Sequence, residues 1–340
     1  MMMLTGSLAL NGCSENADSK TPPIGKNTDI LENDLLDPIV LNHFGRVSDP
    51  QVSPDGTKIV YGVTYTSIEQ DKRNRELFVM DTDGNNNRQI TSTDAGESNA
   101  RWLDNDRMLF LSGGKLWIMQ ADGSGRREIK GTERSIAEFS LSPTHDRILF
   151  ISAVKSGVRP DDLYPDLDKS SGRVIDDLMY RHWDCFVEEI PHAFVAAFDG
   201  ESLSEEVDLM AGLPYELPTL PFGDIGELCW SPDGKSIAYS CRRLTGVDYA
   251  VSTNTDIFLR NLETGNETNL SEGMKGYDTA PRFSPCGTYL VWNSMERDGY
   301  EADKNRLMLY SLADGSVTDL TAGFRYNVES VTWMKDSKGL

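Results

Sequence analysis

The chain has 340 residues, enough to bury a core without a disulfide or metal staple and, by length alone, to make about two domains. Its 54 acidic residues outnumber 33 basic ones, a net charge of -21 that excludes a basic footprint for nucleic acid and adhesion to an anionic membrane. At 39% hydrophobic and 26% charged it is too apolar to be disordered; its 29 Gly and 15 Pro suit many short strands, and no apolar run reaches the ~18 residues of a spanning helix.

Residues 1–13 are apolar and small. Leu10-Asn11-Gly12-Cys13 resembles the lipobox at which a bacterial signal segment is cut before a lipid-bearing cysteine. On that reading Cys13 is lipidated and the chain sits in the periplasm or cell envelope. Asn11 and the absence of a basic leader keep an irregular N-terminus as the alternative. Residues 14–34, polar and carrying Pro22-Pro23, read as a tether.

From residue 35 onward a repeat governs the sequence. Ser53-Pro54-Asp55-Gly56, Ser231-Pro232-Asp233-Gly234 and Ser284-Pro285-Cys286-Gly287 each precede an alternating apolar run. Looser copies begin at Trp102, Ser142 and Trp333. Successive copies lie about 40–50 residues apart, the period of propeller blades. Proline presets the first turn dihedral and glycine tolerates positive φ, so each motif is a hairpin turn. The alternation after it (Ile59, Tyr61, Val63) is a half-buried strand, and a second hairpin closes on turns such as Asp83-Gly84 and Asp314-Gly315. The expected fold is therefore all-β: a propeller of four-stranded blades over 35–340, with about six repeats and the last incomplete at Leu340. Asp81-Thr82-Asp83-Gly84-Asn85 looks superficially like a calcium loop, but it lacks the distant bidentate Glu and its sister turns are plain hairpins.

Pro143 and Pro232 stand nearly two periods apart. His192–Met210 looks like the second hairpin of that blade, which leaves an insertion at about 155–191. Within it, 173–184 is predicted to be helical. Insertions in propellers gather on one face, where function tends to sit. Cys185, Cys229, Cys241 and Cys286 form no metal spacing and read as free, buried thiols.

No Gly-x-Ser-x-Gly elbow, phosphate loop or zinc spacing is present, so no metal or cofactor is expected. Of the four histidines, His43, His145, His182 and His192, none stands in hydrolase order after a Ser and an Asp; His145 (in a turn) and His192 (opening a strand) read as structural. By itself this chain is expected to be catalytically inactive. A half-built last blade leaves an open edge through which two copies could pair as a homodimer.

The 162–194 region (DLYPDLDK, DDLMYRHWD, HAF), STNTDIF at 252–258, GYDTAPRFSP at 276–285 and SMERDGYEADKNRL at 294–307 together resemble the N-terminal propeller of prolyl oligopeptidase family serine peptidases. The likeness runs from about Leu35 to the end and is strongest to the branch of dipeptidyl-peptidase 5 and acylaminoacyl peptidases. It implies a propeller that caps an α/β-hydrolase domain absent from this chain, admits short peptides and excludes folded proteins. It also implies carboxylates that hold the free substrate amine, from a pattern like Trp-Val-x-Glu-Glu. The matching stretch here is Trp183-Asp184-Cys185-Phe186-Val187-Glu188-Glu189. That nominates Glu188 first and Glu189 with it as the amine anchor, Asp184 as a rival, and Trp183, Tyr180 and Phe186 as pocket walls or as residues that merely dock the insertion. Arg297 and Asp298 either meet a substrate carbonyl or form a structural salt bridge. The competing function is a TolB-like lipoprotein propeller that binds envelope proteins; the insertion and SMERDGYEADKNRL favour the peptidase.

Overall fold

The computed structural model describes residues 24–26, 35–167, 169–183 and 185–340. Cys13, segment 1–13, most of the tether and Asp184 lie outside the described residues.

After a short helix α1 (Pro38–His43), capped by Asp37 Oδ1 on Val40 N at 2.8 Å, five four-stranded antiparallel sheets follow in chain order. Blade I is β1 (Arg46–Val52), β2 (Lys58–Ser67), β3 (Lys72–Asp81) and β4 (Arg88–Gln89). Blade II is β5 (Glu97–Trp102), β6 (Arg107–Ser112), β7 (Lys115–Gln120) and β8 (Arg127–Glu128). Blade III opens with β9 (Glu138–Leu141) and β10 (Arg147–Lys155). The insertion then carries α2 (Pro160–Leu163) and a two-stranded hairpin, β11 (Arg181–His182) with β12 (Cys185–Phe186). The blade resumes with β13 (Glu189–Phe198) and β14 (Leu203–Asp208). Blade IV is β15 (Leu228–Trp230), β16 (Ser236–Cys241), then α3 (Gly246–Val251), β17 (Asp256–Asn261) and β18 (Glu267–Asn269). Blade V is β19 (Asp278–Phe283), β20 (Tyr289–Ser294), β21 (Arg306–Ser311) and β22 (Val317–Asp319).

The repeat turns form for the reason their residues suggest. Ser53 Oγ donates to Asp55 Oδ1 at 2.7 Å, that oxygen also accepts from Thr57 N at 3.0 Å, and Gly56 takes φ 74°. Asp81-Thr82-Asp83-Gly84-Asn85 is likewise a hairpin turn, closed by Asp81 N to Asn85 O at 2.9 Å. The sixth repeat builds its turn, with Ser337 N donating to Met334 O at 2.9 Å. That turn docks on blade V as blade II docks on blade I: Trp333 Nε1 donates to Arg282 O at 3.2 Å, and Trp102 Nε1 to Gln51 O at 2.9 Å.

Buried apolar side chains fill the spaces between blades. Val60, Leu77 and Phe110 lie between I and II; Leu109, Phe139, Phe150 and Phe194 between II and III. Leu149, Trp230 and Tyr239 lie between III and IV; Ile257, Leu290 and Trp292 between IV and V. Blades II to IV bury both faces against their neighbours, which is why their central strands read as near-continuous apolar runs.

Two expectations need correction. The insertion spans 156–188, and its 173–183 part is not helical. Val174 bridges Val158, and Met179 and Trp183 take φ of 60° and 48°, which a right-handed helix does not allow. The cysteines are not uniformly buried: Cys241 is buried and Cys229 half-buried, but Cys185 and Cys286 are exposed.

Cys286 replaces the Asp of the other Ser-Pro-Asp-Gly turns. Its sulfur lies 3.3 Å from Ser284 Oγ and 3.4 Å from Thr288 Oγ1, and these hydroxyls, with Ser337, pull its pKa down to about 6. Burial pushes the Cys241 thiol up to about 12. The expected result is rapid maleimide labelling of Cys286 at neutral pH, with a midpoint near pH 6 and Cys241 inert. A Cys286 midpoint at an ordinary thiol pH would sink this assignment; mass spectrometry of labelled peptides reads it.

Candidate functional site

In an antiparallel blade the link from second to third strand and the link to the next blade leave the same end of the sheet. The repeat turns occupy the other end. The longest links here, 156–188, 209–227, 242–255 and 295–305, therefore crowd one end of blades III to V. They enclose a cavity of about 380 Å³.

One buried carboxylate behind the cavity holds three of its lining residues together. Glu216 is buried, and its Oε1 lies 3.1 Å from His182 Nε2 in the insertion hairpin. Its Oε2 accepts from Tyr249 Oη of α3 at 2.6 Å and from Leu220 N at 3.1 Å. One side chain thus ties the insertion, α3 and the proline-rich link together. Burial and the adjacent Glu216 charge push the Tyr249 phenol above its ordinary range, so it stays a donor. Leu220, Pro221, Phe222, Met179 and Met295 supply apolar wall; Arg242, Tyr277 and Glu301 supply polar wall. Ser252 Oγ and Thr253 N donate to Asp298 at 2.8 and 2.7 Å, joining the end of α3 to the blade V link. Arg297 pairs with Asp303 and lies 4.0 Å over the Tyr300 ring, so the salt-bridge reading of Arg297 holds and its neighbour Asp298 is a loop tie.

The nominated residues divide. Trp183 is 74% exposed and stands edge-on to Phe222 with centroids 5.7 Å apart, at the cavity rim. Phe186 is turned elsewhere: it stacks with Tyr180 at 6.5 Å and lies under Arg173 at 4.6 Å. The Glu188 carboxylate is bridged by Arg173 at 2.8 Å and Arg159 at 3.2 Å, which closes the insertion upon itself. Glu189, at the start of β13, faces Lys155 in register, is exposed, and has no ion pair among the described residues. Two guanidinia thus occupy Glu188, whereas Glu189 is exposed. His192 is buried in β13 with Nδ1 2.9 Å from Asp208, a structural role as expected.

Sequence reasoning missed Glu216, Arg242, Tyr249 and Phe222. They come from separate links and share no spacing. The one available signal was Glu216 itself, a single acid inside the proline-rich run LPYELPTLPFG at 213–223.

No protein-family model matches the chain. The solved structure of Pyrococcus horikoshii acylaminoacyl peptidase superposes with a TM-score of 0.60 at 16% identity, covering 85% of this chain and 41% of that one. The β-propeller domain of the Trilobed protease from Pyrococcus furiosus superposes with a TM-score of 0.51 at 13% identity, covering 86% and 76%. The fold is thus a β-propeller of the kind found in these peptidases. By sequence the chain is similar to dipeptidyl-peptidase 5 of Porphyromonas gingivalis: the two are 45% identical over 325 residues, 94% of this chain and 47% of the relative. The chain spans about half the length of the curated relatives it matches.

Proposed function

We propose that this chain is the propeller portion of a serine-type dipeptidyl peptidase, which holds short peptides by their free N-terminus for hydrolysis by an α/β-hydrolase domain. The observation that carries the reading is the 45% identity to dipeptidyl-peptidase 5 across nearly the whole chain. In support, the insertion, the cavity and an open carboxylate share one end of the propeller. In this proposal Glu189 accepts the substrate ammonium, Glu188 orders the insertion through Arg159 and Arg173, and Trp183 with Phe222 borders the path.

The test is calorimetric binding of Ala-Ala-Phe-amide and its N-acetylated form to the 340-residue chain. The free amine is expected to bind at least about tenfold tighter, and Glu189→Gln to abolish that preference. Equal affinity for the acetylated peptide, or a preference that survives Glu189→Gln, overturns the amine-anchor reading.

A further inference from the structure

We propose that the cavity beside α3 is a binding site for a carboxylate attached to an apolar body, with Arg242 as its receptor.

Arg242 follows directly on β16 and lines the cavity. Its guanidinium makes no hydrogen bond and no ion pair among the described residues, and its Nε is buried without a partner. Its guanidinium carbon lies 4.7 Å from the centre of the Tyr249 ring. Other arginines of blades IV and V are engaged. Arg243 pairs with Glu267, Arg260 donates to Leu209 O at 2.9 Å, Arg282 to Gly226 O at 2.7 Å, and Arg306 to Ser294 Oγ at 3.2 Å.

A half-buried guanidinium with no acceptor loses hydration without compensation, so such a group marks a place where an acceptor is to arrive. The planar fork matches a carboxylate in a bidentate pair, and stacking on Tyr249 limits its orientation. Neighbouring acids do not fill that role. Glu216 is committed to His182, Tyr249 and Leu220 N. Glu227 is buried, accepts from Thr219 N at 3.1 Å, and is pushed by burial up to about 7 against the pull of the Arg242 charge, yet it forms no ion pair with Arg242 among the described residues. Glu301 is an exposed rim residue that forms no ion pair with Arg242. Leu220, Pro221, Phe222 and Met295 give the remaining wall an apolar character suited to a hydrocarbon or aromatic body. For a peptide, the carboxylate is either the C-terminus or an acidic side chain.

This inference stands on the cavity alone and does not need the amine anchor, so its probes are all N-acetylated. The unaltered 340-residue chain is titrated calorimetrically with acetyl-Ala-Phe, acetyl-Ala-Phe-amide and acetyl-Asp-Phe-amide. At least one acid probe is expected to bind about tenfold tighter than the neutral amide. A gain confined to acetyl-Ala-Phe assigns the C-terminal carboxylate, and one confined to acetyl-Asp-Phe-amide assigns the side chain. Arg242→Gln, checked for folding by its thermal transition, is expected to erase the gain. Equal binding of acids and amide to the unaltered chain overturns the proposal whatever the variant does, as does a gain that persists in a folded Arg242→Gln.

Discussion

Phe150→Ala is expected to lower the unfolding free energy by about 3–5 kcal/mol, a large share of the ~5–15 kcal/mol of an ordinary domain. Phe150 is fully buried in β10, in register with Phe139 on β9 and Phe194 on β13. The Phe150 and Phe194 rings stack with centroids 5.4 Å apart, and the row packs against Leu109 and Leu111 of blade II. Removing the ring loses its transfer free energy and leaves a cavity between two sheets whose backbones are held by their own ladders and cannot close in. Strand β10 runs straight into the insertion at Lys155, so the same change loosens the base of the functional face. Phe186→Ala, an exposed ring of the insertion, is expected to cost under about 1 kcal/mol. Denaturant midpoints read both; a Phe150→Ala loss no larger than that of Phe186→Ala would contradict the inter-blade core.

The second large effect is on pH dependence. Glu227 and Asp278 are buried, and burial raises their carboxyls from 4.5 to about 7 and from 3.8 to about 6. A raised carboxyl favours the folded state while protonated. Its contribution is therefore complete below about pH 4 and is lost as pH rises through 6 and 7. Each shift corresponds to roughly 3 kcal/mol between acid and neutral pH. Exposed acids such as Asp55, held down to about 2 by the Ser53 and Thr57 hydrogen bonds, act in the opposite sense, so the comparison must be between variant and parent. Glu227→Gln and Asp278→Asn keep the shape of the neutral acid. Each is expected to gain on the parent by about 2–3 kcal/mol as the pH goes from 4 to 8, measured by chemical denaturation. A variant-to-parent difference that stays constant with pH would show that these groups do not titrate with folding.

The blades were legible because their determinants are local. Ser-Pro-Asp-Gly closes a turn with its own hydroxyl, carboxylate and glycine, and the alternation beside it decides which face is buried. The same interval that revealed the period revealed the insertion. Its conformation was not legible. Val174, Tyr180 and Trp183 serve contacts with other stretches of chain, so their spacing reports no helical stripe.

The site divides in the same way. Glu188 and Glu189 were nominated by the family resemblance, yet which of them is open depends on Arg159 and Arg173, 29 and 15 positions upstream of Glu188 and brought near only when the insertion folds back. Glu216, Arg242 and Tyr249 carried no mutual signal at all. The sequence by itself determined the repeat, the turn chemistry, the acidic balance and the place of the insertion, because each is encoded within a few residues. Only the tertiary structure decided which acids are satisfied, which guanidinium is left without an acceptor and where the cavity lies. Those are properties of links from three blades meeting at one end of the propeller, and no local stretch contains them.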